Sequence, residues 1–311
     1  MWPADIGVLS RSRAEHATLP ASLISLTTPA RQALDAAVQA LAAVGVDDPR
    51  LDAELLLGEA MGCERSALIA DGGVEVPASA GRKFGELVRR RLRREPVAYI
   101  LGRKGFRHLE LAVDARVLIP RPETELLVEL ALELQPGGVL DVGTGSGAIA
   151  LAVADELPEA EVTATDTSAG ALEVARGNAE RLGLSERVRF VEGTLPDAEG
   201  GWDLVLANLP YVAEPDWPSL QPEVSQYEPR EALLAGPDGL DAYRVLIPEC
   251  APLLSRYAEQ MRGALAVEVG EGQAPAVAEL MRAAGFGEVE TRRDLAGIER
   301  VVLGRSVKVE A

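Results

Sequence analysis

Val139-Leu140-Asp141-Val142-Gly143-Thr144-Gly145-Ser146-Gly147-Ala148 begins as an apolar run and breaks into three alternating glycines. The run has the length of a strand, and the glycines mark a tight turn into the helix that the sequence predicts over 147–156. At the carboxyl edge of an open α/β sheet, such a turn is where ligands bind. A Gly-x-Gly-x-Gly run alone also fits a structural turn or a dinucleotide fingerprint, so its details must decide. A dinucleotide site has its third glycine one residue later and aims a helix N-terminus at a pyrophosphate. Here the spacing is tighter and Asp141 precedes the glycines. A carboxylate there would repel a pyrophosphate and suit a cationic ligand.

Outward from this turn, apolar runs and helical stripes alternate. A helix running to about Leu134 follows Pro122, and strands are expected at 138–142, 161–165, 187–191, 203–207 and 264–269. Helices are expected at 147–156, 168–182, 239–255 and 274–284, and two closing strands near 287–292 and 299–304. Such alternation makes a parallel sheet with helices on both faces. The short polar segment between the closing strands allows an antiparallel hairpin.

The second strand ends at Val162-Thr163-Ala164-Thr165-Asp166, where a carboxylate can accept from both hydroxyls of a ribose. The structural alternative makes Asp166 the N-cap of the next helix, a role Thr167 or Ser168 can also fill. Glu192-Gly193-Thr194 ends the third strand, where an adenine ring would be met. An adenosine-bearing cofactor fits these strand ends.

Upstream, Thr28-Pro29 reads as an N-cap followed by proline at the first helical position, with Leu34, Val38 and Leu41 along one face until Gly45. Asp48-Pro49 repeats the start signal, and Gly62 stops a second helix. From Ala80 to Arg94, Phe84, Leu87, Val88 and Leu92 form a helical stripe, while Arg82, Lys83, Arg89, Arg90, Arg91, Arg93 and Arg94 cover the remainder. Two readings of this basic cluster stay open: a solvated face, or contact with an acidic partner or ribosomal RNA. Residues 104–119 alternate and read as a hairpin linker.

The 311 residues suit two domains, and 47% apolar content supports a packed core. A formal charge of -18 opposes broad capture of DNA or RNA by the whole surface. Cys63 and Cys250 lack metal-ligand spacing and read as small buried residues, and His16 and His108 stand alone, so no metal site is expected. No window approaches the roughly 20 apolar residues of a membrane span and no signal peptide is evident, so a cytoplasmic protein is expected.

Strand four, Trp202-Asp203-Leu204-Val205-Leu206-Ala207, runs into Asn208-Leu209-Pro210-Tyr211. The last four residues resemble the Asn-Pro-Pro-Tyr motif of methyltransferases that act on a planar nitrogen, with Leu209 in place of a proline. Four further stretches, Glu95–Gly102, Ile119–Glu125, Glu228–Leu233 and Glu299–Arg305, resemble the release factor glutamine methyltransferases. The resemblance spans roughly residues 28–305.

That resemblance implies an α/β chain with a class I methyltransferase (Rossmann-like) fold, a mostly parallel seven-stranded sheet beside a small N-terminal helical bundle. It implies a helical substrate-docking domain over 28–102 and a catalytic domain over 121–311, joined by the β-hairpin linker read at 103–120, while residues 1–27, which mix Arg, Ser, Pro and Ala without a sustained period, read from their own composition as a flexible extension. The implied reaction carries a methyl group from S-adenosylmethionine to the glutamine amide of a Gly-Gly-Gln loop in a peptide chain release factor, without direct DNA or membrane binding. Asn208, Leu209, Pro210 and Tyr211 would be catalytic: the Asn208 oxygen and Leu209 carbonyl accept the two amide N–H groups, and the Tyr211 ring stacks on the amide. Asp141, Gly143, Thr144, Gly145, Ser146, Gly147, Asp166, Glu192, Gly193, Thr194 and Asn208 would hold the cofactor, with 119–125 bordering its pocket. The alternatives are an adenine-N6 nucleic-acid methyltransferase and a non-catalytic cofactor-binding paralogue.

Overall fold

The computed structural model describes residues 27–70, 73–195, 202–255 and 263–306. The extension expected over 1–27 lies outside them, except for Thr27. Two compact units divide the chain, Met1–Arg94 and Glu95–Ala311. Among the described residues no helix is long and apolar enough to cross a membrane.

In the first unit, strand β1 (Thr27–Pro29) precedes helices α1 (Ala30–Ala43), α2 (Pro49–Met61) and α3 (Arg65–Ala70); β2 (Glu75–Pro77) and α4 (Ala78–Leu92) follow. Pro29 is the residue before α1 and not its first turn, because Thr28 is committed to pairing with Val76 in an antiparallel ribbon. No side chain caps the helix as a result. Proline does open α2, which ends at Gly62 in the left-handed conformation that glycine tolerates. Leu34, Leu41, Leu56, Leu57, Phe84 and Val88 fill the core of this unit.

The basic helix is less exposed than its composition implies. Arg91 falls on the same stripe as Phe84, Leu87 and Val88, so it is buried, and its Nε donates to Asp52 Oδ2 at 2.6 Å. Arg94 Nη1 donates to the carbonyls of Val44 and Gly45, both at 2.9 Å, satisfying groups at the end of α1. Arg82 and Arg89 remain on the exposed face.

The second unit opens with a helix that the sequence did not signal, α5 (Val97–Leu101), and a hairpin of β3 (Arg103–Phe106) and β4 (Leu109–Ala112). The hairpin is shorter than expected, since residues 113–121 are not strand. Then come α6 (Glu125–Leu134), β5 (Gly138–Val142), α7 (Ala148–Glu156), β6 (Glu161–Asp166), α8 (Ala169–Leu182), β7 (Val188–Glu192) and β8 (Leu204–Ala207). A short helix α9 (Pro222–Tyr227), α10 (Asp241–Ser255), β9 (Ala264–Glu268), α11 (Ala274–Ala283), β10 (Phe286–Arg293) and β11 (Glu299–Ser306) complete it.

The sheet has seven strands in the order β10-β11-β9-β8-β5-β6-β7, parallel except where β11 pairs with β9 and β10. Val139, Leu204 and Leu206 pack into one layer with α6 and α7, while Leu140, Val205 and Val267 pack into the other with α10 and α11. Burial on both faces explains why these strands read as unbroken apolar runs. Cys250 is buried, but Cys63 is only half-buried, which corrects the expectation for that thiol.

Candidate active site

Chain order steps from β5 to β6 and β7 on one side and returns to β8 and β9 on the other. The carboxyl ends of β5 and β8 therefore flank the point where the strand order reverses, the crevice in which open α/β sheets bind ligands. A cavity of about 720 Å3 opens there. Parallel pairing of Val142 with Ala207 sets Gly143 beside Asn208, so the glycine loop and the Asn208–Tyr211 loop meet across one strand spacing.

Gly143, Gly145 and Gly147 have φ of 74°, 56° and 85°, a left-handed conformation that side chains resist. Gly143, Thr144, Gly145 and Ser146 line the cavity. Gly147 does not; a Cβ there would meet Leu151 Cδ1 at 2.9 Å and Ala175 Cβ at 3.3 Å, so this glycine lets α7 pack closely. Fully buried Asn178 of α8 braces the loop by donating to the Ser146 carbonyl at 2.9 Å.

Asp141 lies beneath the loop and is not part of the cavity wall. Its Oδ2 accepts from Thr144 Oγ1 at 2.6 Å and from the Ala150 amide at 3.1 Å. Its Oδ1 is the one buried side-chain nitrogen or oxygen among the described residues that lacks a hydrogen-bond partner. Burial, opposed by those two hydrogen bonds, pushes the carboxyl up to about 7. A partly uncompensated carboxyl under the loop favours a cationic ligand above it.

Asp166 lines the cavity, with Oδ2 accepting from Gly145 N at 2.9 Å and Oδ1 from Ser168 N at 2.8 Å. It is not the N-cap of α8, because Ser168 fills that role by accepting from Ala171 N. Each carboxylate oxygen keeps a lone pair able to accept from a ligand hydroxyl. Gly193 and Thr194 line the cavity, whereas Glu192 is exposed and does not.

Asn208, Leu209 and Pro210 line the cavity as well, but Tyr211 stands outside its wall, packed against the second core layer. Burial, followed by the charge of Glu268, pushes the Tyr211 hydroxyl up to about 12. Gln273 donates to the Tyr211 carbonyl at 2.9 Å and fixes the loop. Asn208 Nδ2 donates to Thr124 Oγ1 at 3.0 Å, which donates in turn to Glu268 Oε2 at 2.6 Å. Sequence reasoning did not single out Glu268 or Gln273, since one acid ending a strand and one glutamine opening a helix carry no local pattern. The α10 wall, with Ala242, Val245 and Leu246, was also missed because its residues read simply as core.

Two distant motifs meet at the rim. Buried Glu228 accepts from the Ile119 amide and from Arg121 Nη2, which holds Pro120 and Pro229 in the same wall.

A switch-point cavity between a glycine loop and an Asn-x-Pro-Tyr loop, on a sheet closed by an antiparallel hairpin, defines a class I methyltransferase. The hMettl16 catalytic domain in complex with a 3'UTR hairpin shares the fold, with a TM-score of 0.51 and 16% identity over 65% of this chain and 76% of that one. A family described as PrmC N-terminal domain matches residues 32–102, and one described as Methyltransferase domain matches residues 139–227. A release factor glutamine methyltransferase of Caulobacter vibrioides is 43% identical over 88% of this chain and 95% of its own length. Its counterpart from Moorella thermoacetica is 45% identical over 88% of this chain and 97% of its own length. The chain belongs to the release factor glutamine methyltransferase family.

Proposed function

We propose that this enzyme transfers a methyl group from S-adenosylmethionine to the side-chain amide nitrogen of the glutamine in the Gly-Gly-Gln loop of a release factor, in the cytoplasm. The observation that carries this reading is the Asn208 amide at the cavity wall, tethered through its nitrogen so that its oxygen is left to accept. An amide nitrogen has a delocalised lone pair and is a poor nucleophile. An acceptor on its N–H both orients it and stabilises the positive charge that grows as the new bond forms. The Leu209 carbonyl supplies a second acceptor, and leucine in place of proline keeps that oxygen.

Residues present fit the cofactor. Asp166 offers lone pairs to ribose hydroxyls, the glycines admit a ligand close to the backbone, and the Asp141 carboxyl with its orphan oxygen favours a cation. When bound, S-adenosylmethionine supplies an electrophilic sulfonium methyl group. The chain's own part is to hold the acceptor nitrogen in line with that group and keep water from it. Incubating purified release factor with labelled cofactor and mapping the product by mass spectrometry tests the reading. Label on the Gly-Gly-Gln glutamine is expected; label on nucleic acid alone, or nowhere, overturns it.

A further inference from the structure

We propose that Thr124 and Glu268 are positioning residues for this transfer. The Glu268 carboxylate takes the only proton the Thr124 hydroxyl can donate, so Thr124 must accept from Asn208, and the Asn208 oxygen is thereby turned toward the acceptor amide. This inference rests on the reading above and names what enforces it.

The two ends of an asparagine amide have nearly the same shape, so hydrogen-bond polarity decides which way the group points. Thr124 Oγ1 donates to Glu268 Oε2 at 2.6 Å and accepts from Asn208 Nδ2 at 3.0 Å. No protein group among the described residues donates to Asn208 Oδ1, which leaves that oxygen for a ligand. Glu268 is the last residue of β9, is 2% exposed, and stands next to the end of β8 through the pairing of Ala207 with Val267. Three separate segments therefore contribute to one line of hydrogen bonds: the loop after β8, which donates, the turn at 122–124, which accepts and donates, and the end of β9, which accepts.

The line has one polarity only while Glu268 is ionised. A neutral Glu268 can donate to Thr124, the Thr124 proton can pass to the Asn208 oxygen, and the amide NH2 then faces the cavity. A donor would meet the donor of the substrate. Charged and titratable groups face Glu268 from every packed element: Arg121 and Glu123 beside Thr124, Arg300 from β11, Tyr211 after β8, and Tyr243 of α10, whose hydroxyl donates to the Glu268 carbonyl. Burial first, then the charge of Glu123, pushes the carboxyl up to about 7, against the Thr124 hydrogen bond and the two arginines. Ionisation of Glu268 is thus placed near neutrality.

The test is single-turnover transfer onto intact release factor across pH, with cofactor affinity and melting temperature measured alongside, for wild type, Thr124→Ser, Thr124→Val and Glu268→Gln. Wild-type rate is expected to rise through about pH 7 and level off. Glu268→Gln and Thr124→Val should lose on the order of tenfold to a hundredfold in rate with little change in cofactor affinity, as for other misoriented catalytic groups. Glu268→Gln should also abolish the acid limb, and Thr124→Ser should recover most of what Thr124→Val loses. A Glu268→Gln enzyme that keeps wild-type rate, or keeps the acid limb, overturns the proposal. If Thr124→Val fails to fold, the isosteric Glu268→Gln profile decides alone. A wild type that does not methylate release factor sinks the substrate reading instead.

Discussion

Asn208 combines two properties: it lines the cavity, and its nitrogen is held by a buried chain of hydrogen bonds. On the reading proposed above, replacing it with alanine removes the acceptor that orients the substrate amide and leaves Asp166 and the glycine loop in place. Asn208→Ala should therefore cost on the order of a hundredfold or more in turnover, with cofactor affinity nearly unchanged. Single-turnover transfer beside calorimetric titration separates the two quantities, and near-normal turnover would remove Asn208 from the amide site. Asp166 behaves in the opposite way. Its carboxylate carries the Gly145 amide as well as the lone pairs assigned to ribose, so Asp166→Ala should weaken S-adenosylmethionine binding by on the order of tenfold or more. The fold should survive, because Ser168 and not Asp166 caps α8. Unchanged affinity in calorimetry would take Asp166 out of the site.

At the scale of elements, α4 divides its charge between structure and surface. Arg91 and Arg94 are bonded to Asp52 and to the end of α1, so their removal should unfold the helical unit before it reports on binding. Arg82 and Arg89 are exposed and suit a docking test. Neutralising both should raise the KM for intact release factor severalfold and leave a short Gly-Gly-Gln peptide unaffected. Equal effects on both substrates would make α4 a structural helix only. The same helix shows what sequence could and could not say. Its apolar stripe was legible because the 3.6-residue period is local, but the fate of Arg91 depends on where Asp52 of α2 comes to lie. The parallel strands were legible because burial on both faces makes them apolar runs, and the Asn208–Tyr211 motif because it follows directly on one of them. Asp141, Gly147, Glu192 and Tyr211 were expected at the ligand, and the structure places none of them in the cavity wall. Strand alternation and loop packing decide such details. Asp141 is turned beneath the loop by Thr144 and Ala150, and Gly147 is required by the approach of α7 to α8. The Thr124–Glu268 pair was invisible for a further reason: its members are 144 residues apart and meet only in the folded sheet.

Across the whole molecule, buried acids and net charge act on stability in the same direction. Asp141 and Glu268 are raised from 3.8 and 4.5 to about 7 by burial, so the folded chain holds these protons more tightly than the unfolded one. Stability from such a group is fully present below its unfolded value and is lost as pH rises through its folded value. Glu156 opposes them: the Arg107 hydrogen bond lowers its carboxyl below 4.5, so its contribution is present above that value and lost as pH falls further. The formal charge of -18 adds self-repulsion at neutral pH, which salt screens, whereas the two buried carboxyls are screened little. Thermal melts without cofactor should therefore show highest stability near the unfolded carboxyl values and a melting temperature that falls between about pH 4.5 and 7. Added salt should reduce that fall without removing it. The double variant Asp141→Asn, Glu268→Gln replaces both carboxyls with neutral amides of the same shape, so in high salt its melting temperature should hardly change over that range. A wild-type melting temperature that rises over the range, or a double variant with the wild-type slope, would show that the two buried acids do not govern how this protein's stability responds to pH.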